Sequence, residues 1–184
     1  MTDIPDKKHL GQFSDLPELA DRFLKACLRN KILAATAESC TGGMIIALLT
    51  DIPGSSSMVD RGFVTYSNDA KIEMLGVSPS TLDARGAVSR ETALEMATGA
   101  LARSHAGIAL AVTGIAGPDG GSADKPVGLV WFGLAMTGKP TIAERRQFDN
   151  QGRDYIRRQT VRTALEMGLR QLNGGQMPGA EAPR

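Results

Sequence analysis

The chain has 184 residues, 42% of them apolar, with 21 basic against 20 acidic side chains and a formal charge of +1. That length and apolar content suit one domain with a sizeable core, and the balance of charge gives no general pull toward nucleic acid or anionic lipid. No apolar run reaches the ~20 residues of a spanning helix, and the polar start MTDIPDKKHLGQFSDL lacks a signal peptide's apolar stretch. A cytoplasmic protein with neither nucleic-acid nor membrane partners is therefore expected.

Residues 1–15 read as an N-terminal extension. Over residues 16–28, Leu16, Leu19, Ala20, Phe23, Leu24, Cys27 and Leu28 recur at helical spacing, an amphipathic first helix. Residues 32–37 form a short apolar run, broken at Glu38-Ser39-Cys40-Thr41-Gly42-Gly43 and followed at once by a helix-like run to Thr50. This is a buried strand, a tight turn and a helix. Ser39 and Thr41 thus stand at a helix N-terminus, where unpaired N–H groups and the dipole favour a phosphate or a developing oxyanion. The plainer alternative is that one of them only caps the helix.

After a loop at residues 51–57, residues 58–66 have the β-branched and aromatic content of a strand. Ser67-Asn68-Asp69 opens a helix that stops at Gly76. Lys71 lies in its first turn, where the dipole disfavours a cation, a mild hint of function. Ser78-Pro79 starts a short helix, and Ser89 with Glu91 opens a clear one over residues 89–104. Residues 107–113 are wholly apolar, as in a strand buried on both faces, and so central.

That strand runs into Thr113-Gly114-Ile115-Ala116-Gly117-Pro118-Asp119-Gly120-Gly121, a Gly-rich loop whose backbone can approach a ligand. A dinucleotide fingerprint would lead straight into a helix, whereas here the chain leads to a strand at residues 127–136, so a Rossmann reading fails. Residues 141–148 make an edge strand, antiparallel to the one before it. A last helix opens at Gly152-Arg153-Asp154 and runs to about Leu172. Its arginines, Arg157, Arg158 and Arg162 among them, suit a solvated face, whereas Arg153 at its start can point across the Gly-rich pocket toward a phosphate or carboxylate. Residues 173–184 read as a disordered tail.

The element order gives an α/β domain with a mixed sheet of about five strands covered by helices on both faces. Strand ends near residues 37, 66 and 113 would form one cleft if they lie side by side. With only Cys27, Cys40, His9 and His105, neither a disulfide framework nor a metal cluster can be assembled, which favours cofactor-free chemistry with a base other than histidine. Cys40 beside the turn is an alternative nucleophile, although a small buried cysteine is the commoner case.

Four ordered motifs, TAESCTGG at residues 36–43, YSNDAK at 66–71, TGIAGPDGG at 113–121 and KPVG at 125–128, together resemble the CinA C-terminal domain family over residues 16–172. The resemblance implies a three-layer α/β/α sandwich, association into homo-oligomers, and metal-free hydrolysis of nicotinamide mononucleotide to nicotinic acid mononucleotide and ammonia. It also implies Ser39 as nucleophile and Lys71 as its base, in the stand-alone form of the domain. The alternative within the family is a nucleotide-binding module linked to competence or DNA damage, without catalysis.

A carboxamide is a poor electrophile and needs both an activated nucleophile and oxyanion donors. Lowering a lysine pKa to ~7–8, so that it can accept the serine proton, costs roughly 3–5 kcal/mol. Tyr66 and Asn68 are assigned to orient the lysine or the amide, and the turn residues Glu38, Thr41, Gly42 and Gly43 to meet the reacting group. Ribose and phosphate are assigned to the loop, at Thr113, Gly114, Gly117, Gly120 and Gly121, with Arg153.

Overall fold

The computed structural model describes residues 11–174; most of the expected tail, and most of the expected N-terminal extension, lie outside the described residues. Among the described residues, six α-helices and five strands follow in the order α1 (Leu16–Asn30), β1 (Ala34–Glu38), α2 (Met44–Thr50), β2 (Val59–Val64), α3 (Asn68–Leu75), α4 (Pro79–Arg85), α5 (Arg90–Ala102), β3 (Ile108–Gly114), β4 (Leu129–Met136), β5 (Ile142–Gln147) and α6 (Arg153–Leu172). The sheet order is β2-β1-β3-β4-β5. β2, β1 and β3 run parallel, and the β4–β5 hairpin is antiparallel. The expected mixed five-stranded sheet is therefore present, with the largely apolar β3 at its centre.

One core lies between the sheet and α1, α2 and α6; the other lies under α3, α4 and α5. Alternation along β3 separates them, since successive side chains point to opposite faces. Ile108, Leu110 and Val112 enter the first core, Ala109 and Ala111 the second. The small residues let α5 lie close: a Cβ on Gly133 of β4 would come within 2.1 Å of the Ala93 carbonyl oxygen, and one on Gly99 of α5 within 2.0 Å of the Leu75 carbonyl oxygen.

Element ends follow local chemistry. α1 extends two residues past the expected 28, because Lys31 takes a left-handed conformation (φ 54°) and returns its N–H to the carbonyls of Cys27 and Leu28. Ahead of α1, Phe13 is buried and meets Tyr155 edge-on at 5.8 Å. Arg162 donates to Asp15 and to the Gln12 carbonyl, so it is tied to the chain start instead of lying free on a solvated face. β2 stops at Val64, two residues short of the expectation, as the chain turns inward at Thr65.

Candidate active site

The parallel arrangement places the carboxyl ends of β2, β1 and β3 side by side, the usual position for a site in an open α/β sheet. A cleft of about 180 Å³ opens there, walled by Ser39 and Cys40 after β1, Tyr66 after β2, Lys71, Ala87 and Val88 ahead of α5, Thr113 and Gly114 at the end of β3, Ala116, and Arg153.

Its core is a contact between residues 32 apart in sequence: Lys71 Nζ donates to Ser39 Oγ at 3.2 Å. Ser67 starts α3 by accepting from the Ala70 N–H, so Lys71 falls on the helix's inner side with only 1% of its surface exposed. Its Nζ also donates to the Thr65 carbonyl at 2.9 Å, with those of Tyr66 and Ser67 at 3.5 Å. Among the described residues no carboxylate lies within ion-pair distance of it, and burial pushes its pKa below the ordinary lysine value. An amine with a lowered pKa, two N–H groups directed at carbonyls and a serine hydroxyl in reach is equipped to accept that serine's proton.

The turn holding Ser39 is built differently from the expectation. Glu38 is fully buried, and its carboxylate accepts from Thr41 Oγ1 (2.7 Å), Thr36 Oγ1 (3.2 Å) and the N–H groups of Gly43, Ile45 and Ile46 (2.8 to 3.1 Å). The start of α2 is thus already occupied by the chain's own carboxylate and does not serve as an external anion site. Neither Ser39 nor Thr41 caps the helix, and Glu38, assigned to the substrate, faces away from the cleft to hold the turn. Glycine is required next, because Gly42 and Gly43 adopt φ of +61° and +98°. The Gly42 N–H bonds the Ser39 carbonyl and the Gly43 N–H bonds Glu38, so neither is free for an oxyanion. The Thr41 N–H makes no backbone hydrogen bond among the described residues.

Arg157 is a site residue that sequence reasoning missed. It donates to the Thr41 carbonyl at 2.6 Å, from 116 residues away, so the 41–42 peptide is held at its carbonyl by Arg157 and at its N–H by the Ser39 carbonyl. Its only advance signal was a place one turn after Arg153. Cys40 is buried, and that burial pushes its thiol up to about 12, which removes the thiolate that a cysteine nucleophile needs.

The remaining assigned residues divide. Thr113 reaches the cleft with its Oγ1 donating to the Ala87 carbonyl at 2.7 Å, and Gly114 lies beside it. Arg153 spans the mouth, donating to the Gly117 carbonyl (2.8 Å) and to the hydroxyl of Tyr66 (3.2 Å), which is 64% exposed. Asn68 is exposed at the start of α3 and outside the cleft wall; so are Gly120 and Gly121, in a loop that folds on itself through Ser122 and Lys125. Among the described residues no cluster of three or more His, Cys, Asp or Glu side chains suits a metal ion, and no helix is long and apolar enough to cross a membrane.

Comparison with known proteins agrees with this architecture. Residues 17–172 match the family model of the CinA C-terminal domain. The chain is 53% identical over 136 residues to a nicotinamide-nucleotide amidohydrolase PncC of Enterobacter agglomerans, covering 74% of this chain and 82% of that one. To the PncC of Escherichia coli K12 it is 47% identical over 153 residues, covering 83% and 92%. The crystal structure of the competence/damage inducible protein CihA from Agrobacterium tumefaciens superposes with a TM-score of 0.83 at 52% identity, covering 94% of this chain and 99% of that one. With the motif-bearing turn and loops gathered at one end of the shared sheet, the chain belongs to the CinA C-terminal domain family.

Proposed function

We propose that this protein is a nicotinamide-nucleotide amidohydrolase that converts nicotinamide mononucleotide and water to nicotinic acid mononucleotide and ammonia. The observation that carries the reading is the buried Lys71 amine 3.2 Å from Ser39 Oγ, and the relatives named for this activity support it. Ser39 Oγ attacks the carboxamide carbon while Lys71 takes the hydroxyl proton, and the tetrahedral oxyanion forms beside the backbone N–H groups of Cys40 and Thr41. Lys71 then hands its proton to the departing nitrogen, which leaves as ammonia from an acyl-Ser39 ester. Water, deprotonated by the same amine, hydrolyses that ester to the free acid.

Thr113 and Gly114 line the cleft beside the reacting amide, and Arg153 with Tyr66 closes its mouth. The scheme uses no metal and no cofactor. The reading carries with it a small-molecule nucleotide partner, a cytoplasmic setting and a homo-oligomeric assembly, as the family resemblance implies.

The test is ammonia release from nicotinamide mononucleotide, with the product identified by chromatography. Ser39→Ala and Lys71→Ala are expected to lose at least 10³-fold in kcat while retaining the wild-type circular dichroism spectrum. Undiminished turnover by either folded variant would refute the dyad. Tight nucleotide binding without ammonia from the wild-type protein would replace the enzyme with a binding module.

A further inference from the structure

α6 carries five arginines, and three of them are neutralised: Arg158 by Asp154, Arg162 by Asp15 and Arg170 by Glu144. Arg153 and Arg157, one turn apart and so on the same side of the helix, have no carboxylate within ion-pair distance among the described residues. Arg153 is exposed at the cleft mouth, whereas Arg157 is half-buried. The Nε of Arg157 is buried with no hydrogen-bond partner among the described residues. A cation drawn out of water without a counter-charge or a full set of acceptors weakens a fold. Packing alone therefore gives no reason for an arginine at this place.

What the guanidinium reaches is the turn that carries Ser39. The Ser39 carbonyl accepts from the Gly42 N–H at 3.1 Å, which closes a turn through Cys40 and Thr41. Arg157 Nη2 donates to the Thr41 carbonyl at 2.6 Å, and Thr41 Oγ1 donates to Glu38 at 2.7 Å, so Thr41 is gripped from two directions. The same Nη2 lies over Gly42, where a Cβ would stand 3.6 Å from it. Its charge is felt at Cys40, where it opposes the burial that raises the thiol. The base of the arginine is fixed as well, because the adjoining Ile156 is fully buried in the core shared with α1 and α2. A rigid helix thus holds one peptide of the turn by its carbonyl oxygen.

We propose that Arg157 is a positioning residue for the acyl-transfer step: through the Thr41 carbonyl it holds the 39–42 turn so that the Ser39 hydroxyl and the Thr41 N–H keep one geometry toward the carboxamide while the tetrahedral intermediate forms. This role rests on the amidohydrolase reading. Arg157 touches neither the nucleotide nor the proton on Lys71, so its removal acts on the rate of the chemical step and spares substrate affinity. A misplacement of about 1 Å at reacting atoms costs on the order of a hundredfold in rate.

The test is steady-state ammonia release from nicotinamide mononucleotide by the wild-type protein, Arg157→Met, Arg157→Ala and Arg157→Lys, each checked for fold by circular dichroism. Arg157→Met is expected to lose at least tenfold in kcat, with KM within threefold of wild type and an unshifted midpoint in its pH–rate profile. Arg157→Lys should recover part of the loss, and millimolar ethylguanidinium should raise kcat in Arg157→Ala and leave wild type unaffected. A kcat within twofold of wild type in folded Arg157→Met would overturn the proposal, as would a raised KM with kcat intact; both leave the amidohydrolase reading standing. Should Arg157→Met not fold, Arg157→Gln is read by the same split and overturned by the same outcomes. If wild type releases no ammonia, that reading fails by itself, and the labelling rate of Ser39 by a fluorophosphonate probe decides the role of Arg157. Labelling at least tenfold slower in Arg157→Met supports it, and equal rates, or no labelling of wild type, overturn it.

Discussion

At the scale of single residues the proposed chemistry depends on one amine being kept dry. Burial lowers the pKa of Lys71 from the ordinary 10.5, so its neutral, proton-accepting form is populated at a lower pH than in an exposed lysine. The sign is definite: kcat/KM should rise with pH through the lowered pKa and level off above it, because the ammonium form below it cannot take the Ser39 proton. A pH–rate profile measures this, and a profile that falls as pH rises through neutrality would contradict it. Stability moves the same way. As pH drops below 10.5 the unfolded chain gains the lysine proton first, so the contribution of Lys71 to stability declines until its folded pKa is passed.

Ser39 and Lys71 were legible in the sequence because each stands at a junction marked by Gly or Ser. Glu38 and Arg157 were not. The role of Glu38 depends on where the α2 amides point, and that of Arg157 on a carbonyl 116 residues away; no local spacing encodes either direction.

At the scale of elements, the small-residue face of the sheet decides how closely α5 approaches and hence where Ala87 and Val88, just ahead of it, wall the cleft. Gly133 is the tightest point on the strand side, with the Ala93 backbone in the place a Cβ would take. Gly133→Ala is expected to destabilise the protein by about 1–3 kcal/mol, the usual effect of overpacking a core. Urea unfolding measures it, and a midpoint within error of wild type would show that α5 can shift without cost. Element existence was readable throughout, since hydrophobic period and turn residues agree along the chain. Ends moved by one or two residues, as where the strand expected to reach Tyr66 stops at Val64 and the Thr65 carbonyl is left to meet Lys71.

At the scale of the whole molecule, both cores take side chains from β1, β3 and β4 of one sheet, and α1 packs on α6, which ties the two ends of the described chain together. Neither core can come apart without exposing the sheet that serves the other, so unfolding should be all-or-none. Trp131 fluorescence reports the strand ends and far-ultraviolet circular dichroism reports the helices. Their urea transitions should coincide, and separated midpoints would reveal an independently melting layer.

The sequence by itself determined the order and type of the elements, the central place of β3, the hairpin that mixes the sheet, and the three junctions that meet at the cleft, because hydrophobic period, Gly and Ser punctuation and strand length act over a few residues. Only the tertiary structure decided that Lys71 reaches Ser39, that Glu38 occupies the start of α2, and that Arg157 anchors the turn after Ser39. Those facts depend on strand order and register, which are set when distant apolar faces are buried together, and no short stretch of chain contains that information.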